Sequence, residues 1–358
     1  MIKMMNYSKK LILISWLSFA FSGCYSQQNE PIVHDPVMIK EGNTYYLFHT
    51  GNGIQVKSSK DLKTWKNEEA VFDDSPAWIL ETIPDFRGSM WAPDIIEREG
   101  LFYLYYSVSA FGRNSSAIGL VTNKTLDPNS PEFKWVDQGK VIESVPGRDM
   151  WNAIDPNIII DAENTPWMTF GSFWMGLKLV KLNPDMTSVV QDPTQEWYTV
   201  AAREREFYVD ERDAGDAANP NLNYDELYSK EELMQNQLMK NGAIEAPFIF
   251  KHNNYYYLFI SWDRCCRGID SSYKILVGRS KDVRGPYLDK EGMNLAKGGG
   301  TLLAKGNEKW AAVGHQAVYN FDDKDIIIFH GYDMEDDGKP KLVIREIAWN
   351  NEWPEIEL

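Results

Sequence analysis

The chain predicts an all-β protein, a five-bladed β-propeller, and three observations lead to it. A short apolar strand starts five times from a similar corner: His34-Asp35-Pro36, Trp91-Ala92-Pro93, Ile154-Asp155-Pro156, Glu245-Ala246-Pro247 and, more loosely, Gly314-His315-Gln316. Each start runs into a polar turn, an aromatic-rich second strand and a third strand. Aromatic residues make up 13% of the 358 residues, a bias that suits strands. One small sheet cannot bury both of its faces, whereas five packed radially can, with the first strand of each lining a common axis.

Taken in order, the chain begins with a processing segment. Lys3, Lys9 and Lys10 precede an apolar run from Leu11 to Phe21, long enough for a signal sequence and too short to span a bilayer. Phe21-Ser22-Gly23-Cys24 follows, with small residues just before a cysteine as in the lipobox of bacterial lipoproteins. Residues 1–24 are therefore expected to be a lipoprotein signal peptide with Cys24 as the lipidated first residue of the mature chain, the alternative being an ordinary secretory signal. Either reading implies export, and the lipid would be the chain's one membrane attachment, at the outer membrane. Residues 25–30 read as a linker, and 31–358 as the propeller.

The turns after the five first strands are Glu41-Gly42-Asn43, Arg98-Glu99-Gly100, Ala162-Glu163-Asn164, His252-Asn253-Asn254 and Asp322-Asp323-Lys324-Asp325. Second strands are expected at Tyr45–Thr50, Leu101–Val108, Pro166–Phe173, Tyr255–Trp262 and Ile326–Tyr332. Third strands are expected at Gly53–Ser58, Ala117–Thr122, Leu177–Leu182, Tyr273–Arg279 and Lys341–Ile347. The repeat spans about sixty residues from Pro36 to Pro93 and again to Pro156, but about ninety to Pro247. The excess is a polar insertion at about 201–242, in which Ser229 and Glu232 read as a capping box. It is either a lid beside Glu245 or a solvated decoration.

The net charge of -15 argues against a nucleic-acid partner, whose phosphates it would repel. With Cys24 assigned to the leader, only the adjacent Cys265 and Cys266 are left, which is no disulfide framework. In an oxidising compartment the pair either closes on itself or stays reduced. A closed propeller needs no partner to complete its core, so a monomer is expected.

In a propeller the first strands all begin at one end of the channel, which should bring Asp35, Asp155 and Glu245 together from three blades. Buried carboxylates raise one another's pKa, a cost that a chain bears where the acids have work to do. Glycoside hydrolysis fits: one protonated acid serves the leaving oxygen, one ionised acid activates water or attacks, and a third tunes the first. Aromatic residues at the same mouth would stack on sugar, namely Trp91, Trp151 and the pair Phe173-Trp174. Trp91, Asn152, Ser172 and Trp174 are the candidate substrate contacts. His315 sits at the fifth blade's counterpart of the acid position, facing the site or a bound ion, with His34 and His330 weaker candidates.

These motifs carry a resemblance to glycoside hydrolase family 43 over Pro31 to Leu358, through His34-Asp35-Pro36, Met90-Trp91-Ala92-Pro93-Asp94, Ile154-Asp155-Pro156, Ile244-Glu245-Ala246-Pro247 and Gly314-His315. Gly171-Ser172-Phe173-Trp174 and Trp262-Asp263-Arg264-Cys265-Cys266-Arg267-Gly268 resemble its arabinanase branch. The resemblance implies an inverting mechanism on α-1,5-linked arabinofuranose with Asp35 as general base, Glu245 as general acid and Asp155 tuning and positioning the acid. It also implies a channel ion, usually Ca2+, held mainly by water and by a histidine matching His315. Endo-acting cleavage of arabinan is the expected activity. An exo-acting α-L-arabinofuranosidase or β-xylosidase is the nearest alternative, and a non-catalytic glycan-binding lipoprotein one from another class.

Overall fold

The computed structural model describes residues 30–149, 151–190, 197–203 and 243–358. Strands of alternating or fully apolar character fold on themselves through short turns, so each repeat becomes one antiparallel sheet. The first blade contains Val37–Glu41, Thr44–His49, Gln55–Ser59 and Lys66–Asn67. The second contains Ser89–Arg98, Leu101–Ser109, Ser116–Asn123 and Val136–Ser144, with Gly51–Asn52 added along its first strand. Asn157–Ile160, Pro166–Phe170, Leu177–Lys181 and Trp197–Ala201 form the third, and Ile244–His252, Tyr255–Trp262, Lys274–Ser280 and Thr301–Lys305 the fourth. The fifth has Trp310–Phe321, Lys324–Asp333 and Lys339–Glu346.

The fifth blade takes its outer edge from the start of the chain. Ile32 faces Lys341, Val33 N–H donates to Pro340 O at 3.1 Å, and Leu342 N–H donates to Pro31 O at 2.9 Å. The ring is thereby closed by two distant stretches of sequence, and an unpaired sheet edge is covered. Among the elements not placed from the sequence are a short helix, Ala77–Thr82, and a terminal hairpin of Ala348–Asn350 with Trp353–Glu355. Trp349 of that hairpin stacks on His252, with ring centroids 3.8 Å apart. The expected third strand at Gly53 begins later, at Gln55, because Gly53 and Ile54 both take left-handed backbone conformations. The third blade's last strand runs through Ala201, so the expected insertion starts after it. The capping box at Ser229 and Glu232, Cys24 and the leader all lie outside the described residues.

Apolar side chains pack between neighbouring blades. Tyr105, Ile118 and Leu120 of the second blade meet Ile158, Met168 and Phe170 of the third, and Leu177 and Leu179 of the third meet Ile249, Leu258 and Ile260 of the fourth. Polar ties between first strands set the blades' height relative to one another. Asp94 accepts Ile158 N–H at 2.6 Å and the Asn157 side-chain amide at 3.2 Å. Asn157 Oδ1 in turn accepts Ile249 N–H at 2.8 Å, and the Tyr319 hydroxyl accepts Met38 N–H at 2.9 Å. Burial pushes the Asp94 carboxyl up to about 7 even though these donors favour its ionised form.

Asp94→Ala should therefore cost ~1–3 kcal/mol of stability, because it strands a buried backbone donor rather than removing a surface contact. Chemical denaturation of the two proteins checks this, and an unchanged midpoint would show that the inter-blade tie is dispensable.

Candidate active site

At the mouth of the channel the five strand starts share one backbone feature. Asp35, Ala92, Asp155, Ala246 and His315 all have positive φ, of 52, 43, 57, 53 and 55°. None is glycine, so each stores some strain, and residues held this way gather where a fold positions function. In three blades the turn coincides with a bulge, seen as register shifts between Trp91 and Asp94, Glu245 and Phe248, and Gly314 and Ala317. An extra residue at a bulge re-aims the neighbouring side chains. This corrects the alignment expected from sequence: the fourth blade's counterpart of Asp35 and Asp155 is Ala246, and Glu245 stands one residue ahead of it.

The amide of each left-handed residue is received by the preceding blade. Ala92 N–H donates to Thr50 Oγ1 at 2.9 Å, Asp155 N–H to Ser107 Oγ at 2.9 Å, and His315 N–H to Ser261 Oγ at 2.9 Å. Asp35 N–H donates to His330 Nδ1 at 3.1 Å across the ring closure. At the matching place in the third blade stands Gly171, whose N–H donates to Ile154 O at 2.8 Å as Thr50 N–H does to His34 O at 2.9 Å. Lacking a side chain, it leaves Ala246 N–H to Asp155 Oδ2, at 3.1 Å. Asp155 is thus bound to the residue adjoining Glu245.

All three acids are brought to this mouth and buried. Asp35 is surrounded by donors: His34 Nδ1 and Thr50 Oγ1 lie 2.8 and 2.5 Å from its Oδ2, and His315 Nδ1 lies 3.0 Å from its Oδ1. Burial alone would raise its pKa, but the charges of His315 and His34 with their hydrogen bonds hold it well below the usual carboxylate range. Glu245 moves the other way. Burial raises it, against the Ser172 hydroxyl that donates to its Oε2 at 2.8 Å. Asp155 is pushed up to about 8, first by burial and then by the negative charge of Glu245, with His315 opposing. Burial thus holds both neighbours above the ordinary carboxylate range. His315, which burial alone would lower, is raised to about 9 chiefly by Asp35. The mouth therefore holds one carboxyl tuned downward and others tuned upward, the division of labour that general acid–base chemistry requires.

The other expected residues divide. Trp91 and Trp174 are half-buried at the mouth, Trp174 in a left-handed turn with Phe173. Ser172 donates to Glu245, which makes it a support for the acid. Asn152 is buried and accepts Ser116 Oγ–H at 2.6 Å, holding the loop that delivers Asp155. Trp151 packs on Trp197 at 4.7 Å and donates to Glu143 O at 3.4 Å, so its ring belongs to the blade interface. One residue escaped the sequence altogether. Tyr273 is fully buried against Gly314, where a Cβ would lie 2.1 Å from its ring, and it faces Glu245, whose ionised form its hydroxyl favours. No local pattern marks it, because its strand meets Glu245 only in the folded ring.

The donor chemistry at His315 fits a metal. In its neutral form, with Nδ1–H directed at Asp35, His315 would turn the Nε2 lone pair to a cation, the usual arrangement of a carboxylate-oriented histidine ligand, so a cation there would displace the proton that Asp35 otherwise stabilises on the ring. Among the described residues one cluster of three or more metal-type donors occurs, His34, Asp35 and His330. Its nitrogens are occupied: His330 Nδ1 by Asp35 N–H, and His34 Nε2 and His330 Nε2 by the Tyr332 hydroxyl at 3.0 and 3.2 Å.

The family model for Glycosyl hydrolases family 43 matches residues 30–354. An extracellular exo-alpha-(1->5)-L-arabinofuranosidase of Cellvibrio japonicus is 48% identical over 96% of this chain and 92% of its own length. An extracellular endo-alpha-(1->5)-L-arabinanase of Bacillus subtilis is 38% identical over 90% of this chain and 87% of its own. Among solved structures, an alpha-L-arabinanase of Cellvibrio cellulosa superposes with a TM-score of 0.81 at 48% identity, covering 92% of this chain and 96% of that one. The same arabinanase has also been solved with arabinohexaose. A five-bladed ring with opposed carboxylates at its mouth, matched along nearly its whole length, makes this chain a glycoside hydrolase, and it belongs to glycosyl hydrolase family 43.

Proposed function

We propose that the protein hydrolyses α-1,5-L-arabinofuranosidic bonds of arabinan by a single displacement with inversion. The observation that carries this reading is the opposed tuning of Asp35 and Glu245 on blades one and four, together with relatives named for that bond. Asp35, kept ionised by His315 and His34, takes the proton of the attacking water. Glu245, kept protonated by burial, gives its proton to the leaving glycosidic oxygen. Asp155 holds Ala246 N–H and thereby the acid's backbone, and its proximity opposes ionisation of Glu245. Trp91 and Trp174 offer ring faces to the sugar. A Ca2+ ion bound at His315 Nε2 would supply positive charge behind Asp35.

Endo attack, the expectation from sequence, is supported by the 38% identical endo-arabinanase. The 48% identical exo-arabinofuranosidase favours a second reading, release of small products from chain ends. Export is supported by the extracellular names of both relatives. The lipid on Cys24 is a proposal of its own, for which intact-mass measurement of membrane-extracted protein should find an acylated N-terminal Cys24, and an unmodified mature chain would refute it. The N-terminal segment that closes the fifth blade supports a monomer.

Glu245→Gln and Asp35→Asn should each lower kcat on linear arabinan by about 10²–10⁴-fold. Either variant hydrolysing as fast as the parent would overturn the assignment. NMR of the first-formed anomer should show inversion, since a water must fit between the two carboxyl groups. Chromatography of early products separates the modes: a ladder of oligosaccharides supports endo attack, and one short product from the first minutes supports exo attack.

The pH profile of kcat/KM should have an acidic limb below the ordinary carboxylate range, from Asp35, and a raised basic limb, from Glu245. Ser172→Ala removes a donor that favours the ionised acid, so the basic limb should move to higher pH. Asp155→Asn removes a charge that opposes ionisation, so the limb should move to lower pH, with reduced turnover. Shifts in the same direction in both variants would contradict these roles.

A further inference from the structure

Cys265 and Cys266 are bonded to each other in the corner between the fourth blade's second and third strands. The bond closes a small ring that contains the peptide joining the two residues, so the Cys266 N–H is part of the ring and its direction is set by it. That N–H donates to the Tyr332 hydroxyl at 2.7 Å. The Cys266 sulfur lies 3.8 Å from His34 Nε2, while the Cys265 side chain packs with Tyr273, Ala312 and Tyr332. The corner is anchored on both sides, by Ser272 N–H to Arg264 O at 2.9 Å and by Gly338, where a Cβ would come within 2.3 Å of Ile269 N.

The Tyr332 hydroxyl is the junction of these hydrogen bonds. Asp35 N–H makes His330 Nδ1 an acceptor, which places the ring proton on Nε2 and makes that atom a donor to the Tyr332 oxygen. The same oxygen accepts Cys266 N–H. The hydroxyl also lies 3.0 Å from His34 Nε2, and the other nitrogen of that ring, Nδ1, lies 2.8 Å from Asp35 Oδ2. A continuous chain of donors and acceptors thus runs from the peptide inside the disulfide ring to the carboxylate.

We propose that the Cys265–Cys266 disulfide is a positioning element for Asp35, acting through the Cys266 amide, Tyr332 and the histidines His34 and His330. It rests on the assignment of Asp35 as base. Opening the ring frees the Cys266 peptide to rotate, leaves one lone pair of Tyr332 to solvent and loosens the histidine that fixes the base. Displacement of a reacting group by about 1 Å costs about 10²-fold in rate, so a partial loosening should lie below that.

The test uses the full chain with a phosphine reductant. The phosphine transfers two electrons to the S–S bond and becomes the phosphine oxide with oxygen from water, whose two protons end on the sulfurs. Mass spectrometry and thiol titration verify reduction, and circular dichroism verifies that the fold persists. Reduction should lower kcat about tenfold with KM changed less than about twofold, and reoxidation should restore it. Cys265→Ser/Cys266→Ser should match the reduced enzyme and ignore the phosphine. Tyr332→Phe should also lower kcat, and reducing that variant should have little further effect, because the chain is already cut.

Unchanged kcat on reduction would overturn the proposal, as would an equal loss on reducing Tyr332→Phe. A rise in KM with kcat intact would overturn it too, making the disulfide a sugar contact. Asp35→Asn, assayed alongside, separates the two levels: if it is inactive while reduction does nothing, only the positioning role fails, and if it is fully active, the assignment of the base fails first.

Discussion

The structure depends on one repeated constraint, a left-handed residue at the mouth of every first strand whose amide is handed to the blade before it. The conformation is unfavourable for residues with a Cβ, and the hydrogen bond from each amide is what the fold offers in return. Because each bond crosses a blade boundary, local turn geometry and global ring closure support one another. Asp35 and Asp155 project from these turns, and Glu245 stands one residue before another. The same five bonds that hold the ring therefore set the heights of the acids.

Burying three carboxylates and a histidine together would be prohibitive if all were free to ionise. The site avoids this by dividing its charge. Asp35 is matched to His315 and His34, while burial holds Glu245 and Asp155 above the ordinary carboxylate range. Catalytic asymmetry thus comes from partners contributed by different blades, since the acids themselves differ little in chemistry. The break in the ring pattern at Gly171 has a consequence of the same kind. Where other blades present a hydroxyl or an imidazole, the third presents nothing, and Asp155 is drawn to the backbone beside the acid.

The corners between second and third strands carry most of what distinguishes the mouth. Ser172, Phe173 and Trp174 come from one, and the disulfide corner from the next blade. Arg264 of that corner lies over the Phe173 ring at 5.7 Å. Such corners can vary without disturbing the sheets beneath them, so a rigid ring can carry a specialised rim.

Much of the fold was determined by the sequence alone, because five similar strand starts with period-two patterning leave few architectures other than radial packing. The three acids and His315 were legible for the same reason: repetition placed them at one end of the channel before any coordinate was known. Roles within that end were decided by tertiary structure. Ser172 and Asn152, expected as sugar contacts, are bound to Glu245 and Ser116, partners far away in sequence. Trp151 proved to be interface packing, and Tyr273 carried no signal at all. The one-residue offset of Glu245 is written in the sequence, where Ala246 separates it from Pro247 while Asp35 and Asp155 adjoin their prolines, but what it means for the side chain's direction emerges only at the bulge. Closure of the fifth blade by Pro31–Val33, and the chain of bonds from Cys266 to Asp35, join residues roughly 230 to 310 positions apart. Such contacts follow from the closing of the ring, and only the folded chain brings them within hydrogen-bonding distance.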